Sequence, residues 1–192
     1  MKKILIIITI FFSTISTISA NEIKRIVVGN KDAKITIIAF ESLTCSHCAN
    51  FHKDVFPELK KEYLDTGLAK IEFRHFPLDI AAFNAAKVSQ CNNDGDSKIL
   101  NSLYANQQKW VKGSTVKEAN ENLKKFLVSE GYNVDFEKCI NDKEIEDFVL
   151  NDRIDAVKKF KISSTPTIII NNEKFEKTLN YKNLKKALEK LI

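Results

Sequence analysis

ITIIAFESLTCSHCANFH, residues 35–52, sets an apolar run directly before two cysteines two residues apart. Ile35 to Phe40 is almost continuously apolar, the pattern of a strand buried on both faces. Thr44 offers a hydroxyl for a helix N-cap, and helical periodicity then runs from Cys45 to about Thr66, with a kink expected at Pro57. Cys45 therefore falls in the first helical turn, where unpaired N–H groups and the positive end of the dipole favour thiolate over thiol. Cys48 lies almost one turn further in. This makes Cys45 the expected attacking and attacked sulfur, and Cys48 the sheltered resolving one. His47 adds a donor or a positive charge beside the Cys45 sulfur, and Ser46 adds a hydroxyl. A stabilised thiolate favours the reduced pair and makes the corresponding disulfide oxidising.

Residues 1–20 read as an export signal rather than as structure. Lys2 and Lys3 precede the apolar run Ile4–Phe12, and small and polar residues lead to a cleavage site at Ala20. The run is shorter than the roughly 20 residues that span a bilayer, so a cleaved signal and a periplasmic location are expected. Cleavage would remove two lysines and lower the formal charge from +5 to +3. Basic and acidic residues alternate along the chain, with no basic stripe or aromatic platform for nucleic acid. In an exported chain the four cysteines are expected to pair, in one of three connectivities. Proximity favours Cys45 with Cys48, which leaves Cys91 with Cys139. The latter two sit inside apolar helical patterns (AAKVSQC, FEKCI) and read as a structural brace rather than a second redox pair.

Ile23–Val28 is β-branched, is closed by Gly29-Asn30, and reads as a first strand; Leu68–Phe76 alternates as another. From Asp79 the period becomes helical, over about 79–92, 96–110, 115–130, 134–141 and 143–160. STPTIIINNEKF, residues 164–175, reads as a turn, a strand and the start of a hairpin, and residues 181–192 as an amphipathic helix. The division is a signal over 1–20, an α/β first part over 21–78, an all-helical insertion over 79–152, and an α/β second part over 153–192. Thr165-Pro166, directly before the strand Thr167–Ile170, is a candidate cis peptide.

A buried strand, Cys-Ser-His-Cys opening a Pro-interrupted helix, a helical insertion and STPTIII together resemble the DsbA-like branch of the thioredoxin superfamily. The resemblance implies an α/β thioredoxin fold with an inserted all-helical domain, and a cis-proline loop facing the active disulfide. It gives redox roles to Cys45 and Cys48, and pairing with the substrate backbone to Thr165 and Pro166. His47 matches the histidine common between the cysteines of oxidising members, while Ser46 replaces their more usual proline. Many relatives carry an acid in the strand before the CxxC, a position to which Glu41 is a candidate. The implied activity is donation of disulfides to reduced, unfolded protein substrates. The implied reoxidant is a DsbB-like, quinone-linked membrane oxidase, and no cofactor is implied. The isomerases of the superfamily add an N-terminal dimerisation domain for which little chain precedes the first strand, so a monomer is expected. Disulfide isomerase and thiol reductant are the alternatives with the same centre. A different class is a metal-binding or peptide-binding module, with the CxxC as ligands beside His47 or His52. Structural zinc commonly takes four ligands, and no metal is expected. His52 and His75 read as packed or surface side chains.

Overall fold

The sequence from Ile35 places large apolar side chains on both sides of one extended segment, and the fold covers both sides. In the computed structural model, which describes residues 22–192, β1 (Ile26–Gly29), β2 (Ile35–Glu41), β3 (Ala69–His75), β4 (Thr167–Ile170) and β5 (Glu173–Lys174) form one sheet in the order β1-β3-β2-β4-β5. The expected signal over residues 1–20 lies outside the described residues. β2 pairs with β3 in parallel and with β4 antiparallel; β1 lies antiparallel on β3, and β5 on β4. Because side chains alternate along a strand, Ile37 and Ala39 join the larger core cluster, whereas Ile38 and Phe40 join a second one with Phe76, Ala156, Ile162 and Ile169. Burial on both faces explains the unbroken apolar run. The same parity puts Glu41 on the face of Ile37 and Ala39. β1 ends at Gly29, with φ +103°, where an added Cβ would come 2.5 Å from the Ala69 carbonyl oxygen, so the turn requires glycine.

The helix after β2 differs from expectation in two respects. Thr44 does not cap it: Cys45 is the N-cap, with extended backbone, and α1 runs Ser46–Asp54. The Thr44 hydroxyl instead donates to Asp79 Oδ2 at 2.7 Å. The interruption falls at Val55, and Pro57 is the second residue of α2 (Phe56–Leu59). There its missing N–H costs nothing, since first-turn donors have no intrahelical partner. A π-helical segment over Lys60–Leu64 completes the element.

The helical block comprises α3 (Ile80–Gln90), α4 (Lys98–Ala105), α5 (Gln107–Trp110), α6 (Val116–Ser129), α7 (Phe136–Asn141) and α8 (Lys143–Phe160), and α9 (Tyr181–Leu188) ends the fold. The single helix expected over 96–110 is thus divided at Asn106. α8 continues unbroken across residue 152, the expected edge of the insertion. Asp79, Thr115, Asp135, Asp142 and Asn180 each accept a backbone N–H at a helix start, which accounts for where five of these helices begin. A disulfide joins Cys91, at the end of α3, to Cys139 of α7, with Cα atoms 5.4 Å apart. α8 is tied to the sheet through Asp152, which accepts from Arg25 Nη1 at 2.5 Å and from the His75 N–H at 3.1 Å. No helix among the described residues is long and apolar enough to cross a membrane.

Candidate redox site

β2 delivers the chain to Leu43 and Thr44, and α1 then starts with its amino end at the carboxyl edge of the central strands. Cys45, as N-cap, is half-buried, and its carbonyl accepts the first helical N–H groups, from Cys48 at 3.1 Å and Ala49 at 3.2 Å. Cys48, three residues on, is fully buried. Both are free thiols. Gln107 of α5 fixes this corner by donating from Nε2 to the carbonyls of Leu43 (2.7 Å) and Cys45 (3.0 Å).

The two sulfurs are electrostatically unlike. The Cys45 thiol is lowered to about 5, first because the Cys48 thiol donates to its thiolate. Burial opposes this, while the Thr165 hydroxyl and the backbone N–H groups of Cys48 and His47 add to it. Burial pushes the Cys48 thiol well up, and the neighbouring Cys45 and the charge of Glu41 push the same way. The reduced pair therefore holds one thiolate, on the reachable sulfur, and one protonated thiol beneath it.

The Thr165-Pro166 bond is cis and lies against Cys45: the Cys45 S–H donates to the Thr165 carbonyl at 3.4 Å. The Thr165 hydroxyl is buried with no hydrogen-bond partner, which leaves it free to donate once the thiol ionises. His47, Phe51, Pro166, Leu179 and Tyr181 line a groove of about 560 Å³ that passes this loop. The structure thus brings Cys45, Cys48, Thr165 and Pro166 together. Ser46 and His47 are exposed at the rim, and His47 acts on the Cys45 thiolate through its backbone N–H. Cys91 and Cys139 belong to the helical block.

Sequence reasoning named Glu41 as a candidate acid but missed the polar cluster that it forms with His52 and Tyr104 behind Cys48. Glu41 is buried, and its Oε2 lies 2.8 Å from His52 Nε2. Burial raises the Glu41 carboxyl above the usual carboxylate range, against the pull of His52. The His52 ring is stacked on Tyr104 at 4.0 Å and tilted against Phe73 at 5.2 Å. The burial that raises the Tyr104 phenol is reinforced by the charges of Glu41, Cys48 and Cys45. The available signal was the spacing: His52 follows Cys48 by four residues, so both share one face of α1, the face that β2 parity assigns to Glu41. Tyr104 and Gln107 come from the helical block, and nothing local marks them. His75 lies elsewhere, its Nε2 accepting from the Gln90 Nε2 amide at 3.0 Å. Among the described residues no group of three or more His, Cys, Asp or Glu converges as for a metal ion. His52, the candidate third ligand, directs Nε2 at Glu41.

The family model described as Thioredoxin matches residues 21–190. The chain is 28% identical over 170 residues to a putative protein-disulfide oxidoreductase of Rickettsia bellii, covering 86% of this chain and 64% of that one. It is 28% identical over 181 residues to disulfide bond formation protein D of Bacillus subtilis, covering 85% and 75%. Among solved structures, alpha-DsbA1 of Wolbachia pipientis superposes with a TM-score of 0.77 at 30% identity, covering 87% of this chain and 90% of that one. The chain spans less than two thirds of the length of the rickettsial relative.

Proposed function

The chain belongs to the thioredoxin family, in its DsbA-like branch, and from that premise we propose an exported thiol:disulfide oxidoreductase that donates its Cys45–Cys48 disulfide to folding envelope or secreted proteins. The observation that carries this reading is the inequality of the two sulfurs: Cys45 is reachable and lowered to about 5, while Cys48 is buried and held protonated. A substrate thiolate attacks Cys45 Sγ in the disulfide, the S–S bond breaks, and Cys48 leaves and takes up a proton. A second substrate thiol, as thiolate, attacks the mixed disulfide. Oxidised substrate departs, and the pair is left as Cys45 thiolate and Cys48 thiol. Two electrons pass from substrate to enzyme.

Thr165 and Pro166 hold the substrate backbone beside Cys45 in this reading, with the adjoining groove receiving its side chains. We take residues 79–152 as the insertion that carries Tyr104 and Gln107 to the redox pair. A DsbB-like, quinone-linked membrane oxidase in the periplasm reoxidises the pair. The low Cys45 pKa supports oxidation over reduction, because it stabilises the product of the oxidase half-reaction. Isomerase and reductant would use the same centre in the other direction or cyclically.

Two variants test this reading. Cys45→Ala should abolish oxidation of a reduced dithiol peptide. Cys48→Ala, once activated as a mixed disulfide through Cys45, should be unable to resolve it internally, so that the adduct persists on non-reducing mass spectrometry. Full oxidase activity in Cys45→Ala would overturn the assignment.

A further inference from the structure

The groove beside the cis-proline loop is not uniformly apolar. Phe51, Val55, Leu179 and Tyr181 give it apolar and aromatic walls, His47 stands at the end nearest the redox pair, and Asp54 contributes a carboxylate. Asp54 is the last residue of α1 and is exposed. It caps nothing, since α2 begins two residues on without a side-chain cap. Among the described residues it takes part in no ion pair. The cations around it are engaged or turned away: Lys185 of α9 holds Glu62 at 2.7 Å, and Lys53 lines a cavity on another face of α1. Glu58 of α2 adds a second exposed carboxylate on the element that packs against α9, and Lys182, next to Tyr181, is the exposed cation of opposite sign. A charge that the scaffold does not use, set in the wall of a binding groove, breaks a local rule in the way functional sites do. Apolar walls ending in a carboxylate match one kind of side chain. Lysine and arginine lay a methylene stem on apolar surface and carry the charge to a polar partner, and their cations are attracted to aromatic faces.

We propose that this groove selects substrate segments bearing a lysine or arginine about four residues from the reacting cysteine, and that Asp54 is the specificity-determining residue. The inference rests on thiol exchange at Cys45 and Cys48, and names the class of substrate that this exchange favours. Asp54 follows Cys45 by nine residues, roughly 13 Å along α1 at about 1.5 Å per residue. An extended substrate rises about 3.3 Å per residue, so about four of its residues cover that span. Side chains alternate along such a segment. A substrate cysteine directed at Cys45 Sγ therefore has its fourth neighbour directed into the groove as well, over Asp54, and its third directed away. The stem of the fourth side chain lies against Phe51, Val55 and Leu179, and its cationic head meets the Asp54 carboxylate beside the Tyr181 ring. Pairing of the substrate backbone at the cis-proline loop fixes one chain direction, so the preference falls on one side of the cysteine. Asp54 touches substrate but none of the reacting sulfurs. It acts on capture, and leaves the chemistry to Cys45 and Cys48.

The probes are single-cysteine peptides, otherwise of alanine, serine and glycine. Each carries lysine, alanine or glutamate three or four residues from the cysteine, on either side. They are mixed at low concentration with oxidised protein, and loss of the oxidised form, followed by acid quench and mass spectrometry, gives second-order rates. Exposed ion pairs are weak, so lysine at the fourth position on one side should react about 3-fold faster than alanine there, and glutamate about 3-fold slower. Lysine at the third position should gain little. The lysine preference should vanish in Asp54→Asn and reverse in Asp54→Lys, and should be lost in about 1 M salt, where charges are screened within about 3 Å. Asp54→Asn should keep the wild-type Tm and the wild-type Cys45–Cys48 potential; a fall in either makes Asp54 a structural residue and overturns the proposal. A lysine preference that survives Asp54→Asn overturns it, as does equal gain at the third and fourth positions, the mark of diffuse steering. Equal rates for all peptides on wild-type protein also overturn it. Wild-type protein that oxidises none of the peptides would overturn the oxidoreductase reading instead, and the selectivity with it.

Discussion

Replacing Thr165 by Val exchanges a buried hydroxyl for a methyl of nearly the same shape beside Cys45. The hydroxyl has no partner while Cys45 is a thiol, so the protonated state loses nothing. The thiolate does lose a donor, because the Thr165 hydroxyl is among the groups that hold Cys45 down to about 5. A hydrogen bond to a charged group contributes about 1.5–3 kcal/mol, or roughly 1–2 pKa units at about 1.4 kcal/mol each. Cys45 is half-exposed, and water reaching the sulfur recovers part of this, so the lower end applies. The expected Cys45 pKa in Thr165→Val is therefore about 6. Both values lie below neutrality, so at pH 7 the whole shift falls on the reduced form. For a two-electron couple, about 1.4 kcal/mol is roughly 30 mV, in the reducing direction. The assay is the ultraviolet absorbance of the thiolate titrated in both proteins, with equilibration against glutathione for the potential. A Cys45 pKa that stays put or falls would refute the claim that this hydroxyl serves the thiolate.

Two further predictions concern the scaffold. Removing the second disulfide with Cys91→Ala and Cys139→Ala opens a loop set by a sequence separation of 48; the chain-entropy model gives a loss of about 4 kcal/mol. Calorimetry should show Tm lower by on the order of 10 °C with thiol exchange at Cys45 retained, and an unchanged Tm would contradict the brace. His75 is held neutral, its pKa lowered to about 3 by burial, with Arg25 adding. The unfolded imidazole titrates near 6.5, so between these values the unfolded chain binds a proton that the native protein does not. This contribution is whole above about pH 6.5 and declines on acidification by up to roughly 1.4 kcal/mol per unit. Glu41 and Asp152, raised by burial, act in the opposite sense, so the readout is the difference between wild type and His75→Gln. Urea midpoints that converge as pH falls from 6.5 support the assignment, and parallel curves contradict it.

Much of the fold is written in local patterns. β2 is legible because burial on both faces demands an unbroken apolar run, and β3 because half-buried Lys70, Glu72 and Arg74 alternate with buried Ala69, Ile71, Phe73 and His75. The helical block is legible through its period. The start of α1 is not: Thr44 has the chemistry of an N-cap, but Asp79, 35 residues away, takes its hydroxyl. The division at Asn106 is equally long-range in consequence, since it turns Gln107 toward the carbonyls of Leu43 and Cys45. Of the site, the CxxC at a helix start and Thr165-Pro166 before a strand could be read directly, since each needs only neighbours in sequence. Glu41 could be suspected, yet its partner could not be assigned, because Glu41 meets His52 only when β2 parity and the inner face of α1 are superposed. Tyr104 completes the cluster from a helix with no motif of its own.

The claim on which everything else depends is that Cys45 and Cys48 form an oxidising pair. Its most direct test is the reduction potential of the Cys45–Cys48 couple, obtained by equilibrating the protein with glutathione buffers and quantifying the oxidised fraction. A Cys45 thiolate stabilised as found here predicts a potential clearly above thioredoxin's, which is about −270 mV. A value at or below about −270 mV would contradict the oxidase and make the protein a reductant.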